Sequence, residues 1–103
     1  MPAIVSFDEQ RSVLVVMGEE DQLTCGRRRR ALSLALKAGR DVVVDLRDLR
    51  FADSSLMVDL AVLARRLRLN GRKMRLRGAQ PQIQRLIEIM GLDRLPAVAL
   101  ELA

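Results

Sequence analysis

Apolar positions divide the chain into short strand-like runs and longer helical stripes. Residues 3–8, Ala-Ile-Val-Ser-Phe-Asp, predict a strand, and the polar Glu9, Gln10 and Arg11 predict a turn. The β-branched run at 12–17 predicts a second strand, close enough to pair with the first as an antiparallel hairpin. Gly18 to Asp21 end that strand. A helix is expected over 23–38, with Asp21 or Thr24 as its cap, Leu32, Ala35 and Leu36 on its apolar face, and Gly39 as its stop. Residues 41–46 carry the strongest strand signal, a run of valines expected to form a central strand covered on both faces. After Asp53 a helix is expected over 54–69, where Leu56, Leu60, Leu63 and Leu67 recur at helical spacing and Asp59 and Arg66 fall opposite. Asn70-Gly71 predicts its end.

Met74 and Leu76 alternate with basic residues in a strand at 72–77. Pro81 opens a helix over 80–90 that carries Ile83, Leu86, Ile87 and Met90 and stops at Gly91. A last strand covers 97–102. The predicted order is ββαβαβαβ, an α/β fold with a mixed β-sheet: an N-terminal hairpin, then alternating helices and strands joined by parallel crossovers. No repeat, linker or low-complexity segment interrupts it.

Length and composition narrow the function. The 103 residues suit one domain over 1–103. No apolar run approaches the ~20 residues of a transmembrane helix, and the N-terminus lacks the layout of a signal peptide, so a cytoplasmic protein without membrane insertion is expected. There is no His, which removes the usual zinc sites and the serine and cysteine triads. Carboxylates such as Asp45 and Asp48 have no partner set to complete a site, and Cys25 reads as a small helix residue. The chain is therefore read as a non-enzyme with no metal and no cofactor. Phe7 and Phe51 are the only aromatics, which argues against nucleic-acid binding by stacking.

The net charge of +5 comes almost wholly from arginine, since Lys37 and Lys73 are the only lysines. Most of it reads as a solvated, Arg-rich surface of compositional origin. The run Arg27 to Arg30 spans a full helical turn, so at least one arginine must lie near the core side and snorkel.

At Asp53-Ser54-Ser55 the chain resembles the STAS domain, whose members include bacterial anti-sigma factor antagonists. The resemblance rests on Val43-Val44-Asp45-Leu46 leading to Phe51-Ala52-Asp53-Ser54-Ser55, on Gly18-Glu19-Glu20-Asp21 followed by Thr24, on Gly71 followed by Met74-Arg75-Leu76, and on Met90-Gly91-Leu92-Asp93-Arg94-Leu95. It implies a STAS-like fold with the final helix of many antagonists missing. It implies an anti-sigma factor serine kinase as partner, phosphorylation at Ser54, a phosphatase that reverses it, and a role in sigma-factor-dependent transcription. On the same basis Asp21, Thr24, Asp53, Ser55, Met57 and Val58 are the expected partner-binding residues. A homodimer is compatible with it.

The chain departs from the family pattern after Ser55, where Leu56 and Val58 stand in place of two glycines. That departure keeps a second expectation open: a non-switching STAS scaffold, or a regulatory subunit of an ABC-type phospholipid transporter or a stressosome-like complex. The plainer reading of Asp53 or Ser54 is a helix N-cap, and of Leu56 core packing.

Overall fold

The structure, a computed structural model, describes residues 4–20 and 25–101. Strands β1 (Ile4–Asp8) and β2 (Val13–Glu20) form the expected antiparallel hairpin. In its turn the Asp8 carboxylate accepts from the backbone N–H groups of Gln10 and Arg11. The Ser12 hydroxyl donates to the Asp41 carbonyl at 2.6 Å, which ties the hairpin to the next strand. The chain continues through α1 (Cys25–Lys37), β3 (Val42–Asp45), β4 (Leu49–Ala52) and α2 (Ser54–Leu69). It ends with β5 (Met74–Arg77), α3 (Pro81–Met90), a 3₁₀ turn at Leu92–Arg94, and β6 (Val98–Glu101).

The sheet order is β1-β2-β3-β5-β6, with β2–β3, β3–β5 and β5–β6 parallel. Each parallel step needs a crossover, and the three helices supply them. The fold class is the expected one, but the element order gains a strand. Residues 49–52 form β4, which pairs parallel to the far half of β2. The eight-residue β2 serves β3 with its first half and β4 with its second, through a register shift between Gly18 and Glu19. Along β4 the burial runs buried, exposed, exposed, buried, so no two-residue alternation marks it in the sequence.

Cross-strand partners share a face of the sheet, and the buried ones all lie on the same face. Leu14, Val44 and Leu76 stand in one row, and Val42 and Met74 in another, all fully buried. Against them pack Ala31 and Ala35 of α1, Leu56, Leu60, Leu63 and Leu67 of α2, and Ile83 and Ile87 of α3. The helices contact each other in sequence, α1 on α2 and α2 on α3. The central strand β3 is thus covered fully on one face only. Val43 and Asp45, which point the other way, are half-buried. Met90, carried by the same helix as the buried Ile83 and Ile87, is exposed at the end of α3. It is the residue before Gly91, whose left-handed φ of 75° turns the chain away from the helix.

The second face of the sheet carries paired charges. Asp45 takes a two-point contact from Arg47, with Nη2 at 2.8 Å, and Glu101 pairs with Arg77 at 3.0 Å and with Arg75 at 3.6 Å. The hydrogen bond from Arg47 holds the Asp45 carboxyl below the ordinary aspartate range, against the opposing effect of partial burial.

Two predictions follow from this packing. Leu60 is fully buried and Leu69 is exposed. Leu60→Ala is expected to lower unfolding free energy by about 2–5 kcal/mol in a urea titration, and Leu69→Ala by less than about 0.5 kcal/mol. Because the folded Asp45 pKa is depressed, its contact stabilises the fold above the ordinary aspartate range and is lost as pH falls through it. Asp45→Asn should therefore lower the thermal midpoint at neutral pH, and the gap from wild type should close below about pH 4.

Candidate functional site

The site is built at the N-terminus of α2, where β4 leaves the sheet and the chain turns into the helix. Asp53 occupies the cap position with extended backbone, φ −91° and ψ 175°. Its Oδ1 accepts from the Ser55 backbone N–H at 3.0 Å, which satisfies one of the free donors of the first turn. The Ser55 hydroxyl donates to the same oxygen. The capping reading of Asp53 is correct.

A third partner reaches this turn from α1. Arg28 is 1% exposed, the most buried charged residue among those described. Its Nε donates to Asp59 Oδ2 at 2.8 Å, and its Nη2 donates to the Ser55 hydroxyl oxygen at 3.2 Å. Arg28, Ala31 and Ala35 share one face of α1, and the two small residues let α2 approach closely enough for these contacts. Two expectations are corrected here. The core-side arginine of the run does not snorkel, because a carboxylate meets it inside. Asp59 does not lie opposite the core stripe but faces α1. Periodicity missed this pair because a buried arginine and a half-buried aspartate each break an apolar pattern. The one available signal was the arithmetic that four consecutive arginines cannot all avoid the core.

Ser54, the first residue of α2, is exposed, and among the described residues its hydroxyl makes no hydrogen bond within the chain. Ser55 is half-buried, with its hydroxyl engaged by Asp53 and Arg28. Leu56 is buried in the core, as expected. Met57, expected on the partner surface, is only 2% exposed, whereas Val58 is 52% exposed. Asp21 and Thr24 lie outside the described residues. Among the described residues, no three His, Cys, Asp or Glu side chains cluster as metal ligands. No described helix is long and apolar enough to cross a membrane.

The local chemistry favours an anion at Ser54. First-turn N–H groups and the positive end of the helix dipole face outward there. The Asp53 carboxylate opposes that attraction from the adjacent residue. A free hydroxyl on a capped helix start, carried by a mixed sheet with one layer of helices, is the arrangement that the STAS resemblance leads one to expect.

Comparison with known proteins gives the same class. A family model described as "Mlab, STAS domain" matches residues 4–100. The chain belongs to the STAS domain family. A solved structure of an anti-sigma-factor antagonist (STAS) domain protein from Planctomyces limnophilus superposes with a TM-score of 0.63. It is 17% identical, and the match covers 98% of this chain and 91% of that one, so the likeness is one of fold. No curated protein matches the sequence.

Removing one partner of the α1–α2 pair should be costly. Asp59→Ala withdraws a charged hydrogen bond from Arg28 and is expected to destabilise by about 2 kcal/mol in chemical denaturation. The double change Arg28→Leu with Asp59→Leu should recover most of that loss, since apolar side chains replace the pair together.

Proposed function

We propose that this STAS domain is an anti-sigma factor antagonist: it binds an anti-sigma factor serine kinase and is switched by phosphorylation at Ser54. The observation that carries the reading is the contrast between two adjacent serines. Ser54 is exposed at the helix start with its hydroxyl unengaged, whereas the Ser55 hydroxyl is held by Asp53 and Arg28. In the reaction the Ser54 oxygen attacks the γ-phosphorus of ATP held by the kinase, its proton leaves, and ADP departs. The product carries an added charge of about −1.5 to −2. The helix terminus stabilises that charge, and Asp53 repels it. A partner surface complementary to the neutral turn is therefore disfavoured while the fold stays intact. Asp53, Ser55 and Val58 are the described residues assigned to that surface, with Asp21 and Thr24 on the adjoining corner; Met57 supports it from beneath. A phosphatase would restore the neutral form, and the outcome would be control of sigma-factor-dependent transcription in the cytoplasm.

A second reading is favoured by the bulk that follows Ser55. Leu56 fills the core and Val58 projects where the family pattern has glycine, and the matching family model is described by Mlab rather than by an antagonist. On that reading the chain is a non-switching STAS scaffold or a regulatory subunit of a transporter or stressosome-like assembly.

Incubation with the kinase and ATP separates the two. The first reading expects one phosphate per chain by intact mass, retained in Ser55→Ala and absent in Ser54→Ala. Equal labelling of Ser54→Ala refutes the site assignment, and stable binding to an ATPase subunit without any labelling supports the scaffold.

A further inference from the structure

One turn beyond Ser54, an open groove of about 450 Å³ runs along α2. One wall is Met57, Val58 and Val62, and the other is Met90, Leu92 and Leu95 from the end of α3 and the 3₁₀ turn. Val58, Val62 and Met90 are substantially exposed, at 52%, 46% and 43%. Among the described residues the only charged ones lining it are Arg65 and Arg68, and no carboxylate does. Among the described residues neither arginine forms a salt bridge, although Arg28, Arg47, Arg75 and Arg77 all do. An apolar trough with two uncompensated cations on its rim is complementary to an apolar stripe flanked by acids.

The dimensions select the form of that partner. From Met57 to Arg68 the α2 wall runs about 16 Å, roughly three helical turns. Among the described residues no buried polar group in the lining offers the convergent hydrogen bonds that orient a small molecule. The trough is concave, which suits an inserted helix ridge better than a flat lipid surface. We propose that this groove docks an amphipathic acidic helix of a protein partner, its apolar stripe between α2 and the 3₁₀ turn and its glutamates or aspartates against Arg65 and Arg68. The proposal stands independently of phosphorylation at Ser54.

The test uses displayed 16-residue helical peptides with apolar stripe positions and Glu, Gln or Lys free to vary at the flanks. Selection on the full chain is expected to enrich Glu at the flanks. Binding of a selected peptide, read by fluorescence anisotropy, should weaken by about tenfold or more in Val62→Asp and in Arg65→Glu with Arg68→Glu. The double charge reversal should instead accept the Lys-flanked version of the same peptide, which shows that the variant is folded and that charge complementarity is the cause. Ser54→Ala should bind like the wild type, so failure of the phosphorylation reading leaves this result untouched. Lys-rich selected peptides, or binding indifferent to the groove variants, would overturn the proposal. So would co-sedimentation with anionic phospholipid vesicles that Val62→Asp abolishes while no acidic helix binds.

Discussion

The placement of α2 depends on one buried guanidinium. Taking Arg28 out of water is expensive, and the cost is offset only where the geometry satisfies its donors. Asp59 meets its Nε, and the Ser55 hydroxyl meets one terminal nitrogen. These contacts join α1 to α2 through a buried side chain, and a shift of either helix would lengthen them. They also decide the state of the adjacent turn. Ser55 is committed to structure, Asp53 is committed to the cap, and Ser54 remains unengaged at the helix start. A buried ion pair often adds little net stability. Here it joins the two helices beside the turn in which Ser55 is engaged and Ser54 is exposed.

The same accounting explains part of the arginine surplus. Arg47, Arg75 and Arg77 lie on or beside the sheet face away from the helices, each beside Asp45 or Glu101. Their charge is largely balanced where it stands. Arg65 and Arg68 form no salt bridge among the described residues, so the charge they carry along one side of α2 is not balanced by a paired carboxylate. The bulk figure of +5 conceals this division. A composition argument treats all arginines alike, whereas the fold places balancing carboxylates beside some and none beside others.

Elements with a clear period were legible from the chain. The Leu56, Leu60, Leu63 and Leu67 stripe gave α2 its bounds, and the alternation of Met74 and Leu76 gave β5 its buried face. β4 was not legible, because its identity depends on pairing with the far half of β2 and its own residues do not alternate. Nor was the one-sided cover of β3 legible: a run of valines is equally at home under one helical layer or between two. At the site, Asp53 and Ser54 were visible through their motif. The Arg28–Asp59–Ser55 contact was not, since it joins residues from two helices, and single-helix periodicity carries no information about what faces a charge across an interface. Met57 failed for a related reason. Leu56 and Met57 are both buried and Val58 is exposed, so the buried face of α2 is wider than the leucine stripe, and its width is set by the elements packed against it.

Helix α2 therefore holds two regions of opposite electrostatic preference within a short distance. Its N-terminus, through free N–H groups and the dipole, favours an added anion. Its later turns display Arg65 and Arg68 beside an apolar trough that suits an acidic helix. Ser54, Val58, Val62 and Arg65 lie along one face of this helix, spaced at four, four and three residues. A helix lying in the groove would bring one end close to the Ser54 turn. A phosphoryl group there would add negative charge at the head of the groove, and an acidic occupant would be repelled at that end while still attracted at the other. Val58 sits between the two regions, so the residue in place of the family's glycine is also where the two proposed surfaces meet. On the two proposed readings its bulk would act in opposite directions, crowding a kinase at Ser54 on one and adding apolar contact for a docked helix on the other.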